Sequence, residues 1–576
     1  MKRFLITFAA VIAAHIFLSF LAMIVLTSIL GLAMMGTSTK VADVAPGSYL
    51  VQDVPAELPE FVPESSIPFP RRPTSHTDLL ENLEKARADE RIEAVLLRVE
   101  MLQAGWGKLE ELRQSIQALR ESGKPVIAFT TFATNKTLYL ASACDSIFVH
   151  PKGYVHLSGL NAERIFLRNL LDKLDVRTQV SQIKEYKAMA EMVMREEMSP
   201  EVRQNVAWIL DGVYDEYLRA LADDRGVGRD QVVSWLETCQ FDAQAAADAG
   251  IVDGLRIWED LERRMSASIE GRQYAEIPRA RLGLRGRRIA VIHGCGTITQ
   301  GENGWVFPLG ETMGDETMVA ALEEARDDDG IAGVLLRLDT GGGLSTASER
   351  IGLMVEDVAR RKPVVISMVD LTASGGYMIS HRCSTLVALP TSVVGSIGSI
   401  NMRANLAGLL EQVGVTVDRV TKGPHATTLS AFADLTEEEF ARLETIHWKT
   451  YRDWIRDVAK HRGMSVEEVN ALARGQVFTG RQALDNGLID VLGGFDAALE
   501  ILREQVGIPP GEDVSFLHLP REKSFIEKLA EGEWGGAARS VLGRRPTEEE
   551  VIMPTVRFWK SCLDGNESLA LFWWRF

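Results

Sequence analysis

Ser374 sits among small residues in the stretch Leu371-Thr372-Ala373-Ser374-Gly375-Gly376-Tyr377, just after the β-branched run Val364-Val365-Ile366. An apolar run that breaks into small residues and then resumes helical spacing predicts a strand, a tight turn and a helix. A serine at such a corner presents its hydroxyl outward, and Gly375 leaves the adjacent backbone N–H unobstructed. A nucleophile and one oxyanion donor can then come from neighbouring residues. The same residues also make an ordinary Ser/Gly turn with no chemistry, and the rest of the chain has to decide.

The deciding feature is an internal repeat. Ala94-Val95-Leu96-Leu97-Arg98-Val99 matches Gly333-Val334-Leu335-Leu336-Arg337-Leu338 at a spacing of 239 residues, as do Cys144 and Cys383, Pro151 and Pro390, and Gly159 and Gly398. Lys124-Pro125-Val126 matches Lys362-Pro363-Val364 one residue out of that register. In this register Asn135 and Lys136 stand opposite Ser374 and Gly375, and Leu102-Gln103-Ala104 stands opposite Gly341-Gly342-Gly343. The first copy therefore lacks both the serine and the glycine loop suited to an oxyanion. Serine needs a base to attack a carbonyl at neutral pH. Lys187, in Ile183-Lys184-Glu185-Tyr186-Lys187-Ala188, faces Ala426, and Lys422 faces Ile183. One copy keeps a lysine and the other a serine, while Lys184 reads as a surface residue. His381 and His425 are the histidines nearest the motifs for a competing Ser–His–Asp arrangement. His381 falls seven residues after Ser374 on the following helix, nearly two turns and about 10 Å further along it.

The elements that must position these groups alternate. In the second copy the strand-like runs Arg288–Ile292, Val334–Leu338 and Pro363–Ile366 are separated by helix-like stretches around Met318–Ala325 and Ala347–Ile351. Such alternation predicts an α/β fold with parallel sheets and ligands at the carboxyl ends of the strands. The expected division is an N-terminal anchor over 1–36, a first repeat over 47–275, a second over 287–510 and a tail over 511–576 of no assigned role. Each repeat ends in a Gly-apolar-Asp element, Gly250-Ile251-Val252-Asp253 and Gly487-Leu488-Ile489-Asp490. The tail carries Glu548-Glu549-Glu550 and the aromatic end Phe572-Trp573-Trp574-Arg575-Phe576.

Composition narrows the class. A net charge of −17 over 576 residues argues against a nucleic-acid surface. Five cysteines without a C-x-x-C pair, and ten histidines without metal spacing, suggest neither a zinc site nor a disulfide framework, so no cofactor or metal is expected. After Lys2 and Arg3 no charged residue occurs until Lys40, and Phe4 to Met35 is nearly all apolar. That length predicts a tilted transmembrane helix, with the positive N-terminus in the cytoplasm and the remainder beyond the membrane; it favours an uncleaved anchor over a signal peptide cleaved late, near Gly36-Thr37-Ser38.

Thr372–Tyr377, Tyr186-Lys187, Gly395-Ser396-Ile397-Gly398 and Phe478-Thr479-Gly480-Arg481-Gln482-Ala483 together resemble the long, two-repeat form of the signal peptide peptidase A (protease IV) family, over residues from about 47 to 505. The resemblance implies two tandem ClpP/crotonase-like domains in a membrane-anchored serine protease. It implies Ser374 as nucleophile and Lys187 as general base, in agreement with the repeat. Gly375 with Gly342 or Gly343 would bind the oxyanion, and Ser396 either orients the lysine or serves as a turn residue. The family's loop usually reads Ser-Pro-Gly-Gly, whereas here Gly341 in Asp339-Thr340-Gly341-Gly342-Gly343 stands at the proline position, which predicts a looser loop. Implied partners are signal-peptide remnants and other apolar peptides, the bacterial inner membrane with the domains on its outer side, and further copies of the chain, a tetramer by analogy. A crotonase-like acyl-CoA enzyme and a catalytically degenerate membrane scaffold are the alternatives; the anchor and the Ser/Lys pair count against the first, and retention of serine and lysine in opposite copies against the second.

Overall fold

Val-, Ile- and Leu-rich runs in matching positions of the two repeats become buried strands, and they assemble two sheets of one design. The computed structural model describes residues 43–63, 72–306, 309–509 and 511–521. Across the first sheet the order is Gln240–Asp242, Ser146–His156, Val126–Ala133, Ile92–Val99, Ser48–Val54 and Ala267–Glu270. Across the second it is Val477–Thr479, Val393–Gly395, Val364–Ala373, Ile331–Thr340, Arg287–Cys295 and Val514–Leu519. Both sheets lie in one compact unit made of the described residues of 44–62 and 74–520.

The central strands run parallel, as alternation with helices requires: Val95 pairs with Val126, and Val334 with Val364. The expectation of purely parallel sheets is corrected at one edge of each. Gln240–Asp242 runs antiparallel to Ser146–His156, and Val477–Thr479 antiparallel to Val393–Gly395, so both sheets are mixed. In each case the edge strand returns after a helical excursion that reverses the chain. A second difference concerns the tail. It opens with Val514–Leu519, which pairs in parallel with Arg287–Cys295, as Ala267–Glu270 pairs with Ser48–Val54.

Local signals fix the helices. Pro200–Arg225 and Glu437–Arg462 are both 26 residues long, start on Ser199 and Thr436 caps, and stop at Gly226 and Gly463 in the left-handed conformation. The Gly-apolar-Asp elements make the same lock twice. Asp253 accepts from Ile147 N and pairs with Arg225, and Asp490 accepts from Leu386 N and pairs with Arg462. Among the described residues no helix is long and apolar enough to cross a membrane. The expected anchor over 1–36, and the tail beyond 521, lie outside the described residues.

What joins the repeats matters most for the site. Arg177–Gln182 of the first pairs antiparallel with Ile400–Asn405 of the second, Ile400 opposite Gln182. Arg337 of the second repeat is fully buried and donates to Glu60 (2.6 Å) and Glu111 (2.8 Å) of the first. Its counterpart Arg98 pairs with Asp53 at the surface instead.

Candidate active site

The strand Val364–Ala373 ends at Ser374, and the helix Gly375–Ser380 begins immediately after it. Ser374 has φ +54° and ψ −115°, a conformation that costs an L-residue roughly 1–3 kcal/mol and persists where the surroundings impose it. Ser374 N donates to Gly395 O at 2.9 Å, which ties the corner to the neighbouring strand. That strand's extension carries Ser396, also at positive φ, whose N–H donates to Gln476 O at 2.7 Å.

Lys187 arrives from the first repeat by way of the inter-repeat strand pair. Beyond Gln182 the chain stays attached to the second repeat: Ile183 N donates to Ser399 O, Tyr186 N to Arg474 O, and Arg474 forms an ion pair with Glu185. Lys187 Nζ then lies 2.8 Å from Ser374 Oγ, 2.8 Å from Ser396 O and 2.9 Å from Ser396 Oγ. Two glycines make room for it. A Cβ on Gly475 would fall 2.5 Å from Lys187 N, and one on Gly398 would fall 3.3 Å from Lys187 Cδ. Lys187 is 4% exposed, and burial alone lowers its pKa from 10.5 to about 7. At neutral pH a large share of the amines is therefore uncharged. A neutral amine has two N–H bonds for the Ser396 oxygens and one lone pair left for the Ser374 hydroxyl. That geometry lets the serine proton pass to nitrogen.

The glycine loop lies against the serine. A Cβ on Gly342, at φ +99°, would fall 2.5 Å from Gly375 N and 2.8 Å from Ser374 Cβ. Gly342 is itself engaged on both sides: its N–H donates to Thr340 Oγ1 and its carbonyl accepts from Ile298 N. Leu344 N donates to Ile298 O, so Ile298 grips the loop on either side of Gly343. The N–H groups of Gly343 and Gly375 make no hydrogen bond among the described residues. The loop is thus tied down despite glycine at the proline position, with Thr340 Oγ1 donating to Gly296 O at 2.6 Å. Met189, Met378, Ile400, Tyr451 and Trp454 line a cleft beside Lys187 and Ser374.

The histidines are committed elsewhere. His381 Nε2 lies 2.9 Å from Asp457 and its Nδ1 3.2 Å from Tyr377 O, while His425 pairs with Glu439. Lys422 is exposed, and Lys184 stands over the Trp448 ring. The positive φ of Ser374 and Ser396, and the space left by Gly475, have no signature in a single sequence. The doubled glycines of the second copy are the signal that pointed nearest to them.

The sequence profile of peptidase family S49 matches residues 118–270 and 356–509, one stretch in each repeat. "Serine protease SPPA, chloroplastic" of Arabidopsis thaliana is 29% identical over 479 residues, an alignment covering 81% of this chain and 70% of that protein. Protease 4 of Haemophilus influenzae is 29% identical over 453 residues, covering 74% and 72%. Protease 4 of Salmonella typhi is 30% identical over 441 residues, covering 73% and 70%. With two profile matches that together exceed half its length, this chain belongs to peptidase family S49 and is a serine peptidase built from two repeats of that family.

Proposed function

We propose that the enzyme hydrolyses peptides through a Ser374/Lys187 dyad shared between its repeats. The observation that carries this is the 2.8 Å approach of a buried, pKa-lowered Lys187 to a strained Ser374. Ser374 Oγ attacks the peptide carbonyl carbon as its proton passes to Lys187 Nζ. The oxyanion takes the N–H groups of Gly343 and Gly375. Of the glycines expected to serve, Gly342 is the one whose N–H is already engaged, so its part is to let the loop approach the serine. The C–N bond breaks, Lys187 returns the proton to the leaving amine, and water resolves the acyl-enzyme by the reverse use of the same base. Ser396 orients the lysine through its two oxygens.

Apolar peptides are the substrates that the cleft lining favours, cleaved signal peptides among them. The apolar stretch from Phe4 to Met35 serves as the anchor, with the catalytic repeats, near 47–275 and 287–510, on the outer side of the bacterial inner membrane. A head-to-tail homo-oligomer is supported by two segments left outside strands. By the repeat register 416–421 corresponds to Arg177–Gln182, and 161–166 to Ile400–Asn405. These segments expose Ile165, Val417 and Val420, apolar edges suited to the same pairing between copies.

A fluorophosphonate probe tests the chemistry. Ser374 should be labelled in the native enzyme, and Ser374→Ala should remove labelling and lower hydrolysis of a short apolar peptide ester about 10⁶-fold. Labelling at another serine, or activity retained by Ser374→Ala, would sink the assignment.

A further inference from the structure

Lys108 is an ordinary-looking helix lysine in the first repeat, yet it is 7% exposed and its ammonium reaches the second repeat. Its Nζ lies 2.6 Å from Asp339 Oδ2 and 3.1 Å from Asp370 Oδ2. Those two aspartates occupy matched places. Asp339 is the next-to-last residue of the strand Ile331–Thr340, three residues before Gly342, and Asp370 is near the end of Val364–Ala373, four residues before Ser374. Asp339 also accepts from Leu371 N at 3.2 Å, so the two strand ends are linked through it. Burial works against the charge on Lys108, but Asp339 and Asp370 hold its pKa well above the usual lysine value, and it stays a cation.

The backbone makes the same connection a second time. The helix Trp106–Glu121 begins at Gly105, which offers no side-chain cap, and Asp370 Oδ1 of the other repeat accepts from Lys108 N at 2.9 Å in its place. Room for that carboxylate depends on glycine: a Cβ on Gly105 would fall 2.1 Å from Asp370 Cγ, and one on Gly107 would fall 2.6 Å from Val369 O. None of this is duplicated. Ala347 stands opposite Lys108 in the second copy, and Glu100 stands opposite Asp339 in the first.

We infer that Lys108, Asp339 and Asp370 form a staple between the repeats that positions the Gly341–Gly343 loop against Ser374. Lys108 touches neither substrate nor reacting atom; it is a positioning residue. Its cation holds together two carboxylates that would otherwise repel each other at the roots of the two catalytic segments, with Glu60 adding negative charge nearby. Without it the Gly343 N–H and the serine lose their mutual register, which affects the transition state more than the bound substrate.

The inference rests on the Ser374/Lys187 reading, so its test has one arm that needs no catalysis. Lys108→Met should lower kcat about 10²-fold with KM kept within about threefold. Adding Asp370→Asn to Lys108→Met should restore part of that loss, because it removes the carboxylate repulsion, although Asp370→Asn alone lowers kcat. Gly105→Ala, which changes no charge but displaces Asp370, should reproduce the kcat defect and stands in if Lys108→Met fails to fold. Independently, amide hydrogen exchange across 340–344 and 374–377 should quicken at least about tenfold in the folded variants. Exchange at native rates in both Lys108→Met and Gly105→Ala would overturn the staple, whatever the activities. Quickened exchange in an enzyme whose native Ser374 takes no probe would uphold the staple and overturn the dyad.

Discussion

The two corners at Asn135 and Ser374 descend from one element, and they now differ in backbone as well as side chain. Asn135 opens the helix Asn135–Ala141 behind a Thr134 cap whose hydroxyl accepts from Thr137 N, and its φ is not positive. Ser374 keeps the positive φ. In the first copy Lys136 Nζ donates to Ala104 O at 2.8 Å, closing the place where the second copy has Gly343 beside Gly375. Strain has been retained at the corner that carries the serine and relaxed at the one that does not, as expected when strain is maintained for chemistry. The lysine side shows the converse. Lys187 is buried and held, whereas Ala426, in the matching segment, lies in an exposed turn.

After Ser374→Ala, the largest effect should come from Lys187→Met, which removes the first copy's half of the proposed dyad. Loss of the general base should lower kcat/KM about 10²- to 10⁴-fold. Stability should move the other way. Between pH of about 7 and about 10.5 the unfolded chain binds a proton at Lys187 that the folded chain does not, so native stability rises with pH across that window. Methionine removes this contribution, and Lys187→Met should melt higher than the native enzyme at pH 7 and below. An unchanged melting temperature would mean that the lysine is not desolvated. In the native enzyme kcat/KM should fall as pH drops below about 7, where the amine becomes charged.

A smaller effect is expected for Ser396→Ala, which takes one of two oxygen partners from the amine but leaves the Ser396 carbonyl in place. Activity should fall about tenfold, without loss of fluorophosphonate labelling at long times. A loss as large as that of Lys187→Met would promote Ser396 to an obligatory member of the site. The smallest effect tests the comparison from its silent side. Asn135→Ser with Lys136→Gly rebuilds the serine corner in the first copy, where Ala426 stands in the lysine's register. No labelling at residue 135 and activity within about twofold of native are expected, because a serine without a base gains nothing. Labelling there would show that the corner, and not the pairing of unlike halves, makes the site.

Much of this was legible in the sequence. The repeat register singled out Ser374 against Asn135 and Lys187 against Ala426, and strand–helix alternation indicated the α/β design. The antiparallel edges were not legible, because Gln240–Asp242 and Val477–Thr479 are three residues each, too short to show a period of two. The strand Val514–Leu519 was hidden in a tail to which the sequence assigned no role, just after Pro509, Pro510 and Gly511. Lys108 resembled any helix lysine, because its meaning depends on carboxylates more than 200 residues away that only tertiary structure brings near it. Gly475 was one glycine among many until Lys187 was seen to occupy the space a side chain would fill.

The strand pair Arg177–Gln182 with Ile400–Asn405 has a consequence for the birth of the enzyme. Lys187 and Ser374 are 187 positions apart and meet through a pairing that needs both repeats. The second sheet is closed by Val514–Leu519, which leaves the ribosome after both of them. On the proposed dyad, a nascent chain that has folded only its first repeat holds a base with no nucleophile. A dyad split in this way can form only once both repeats have been made and have paired.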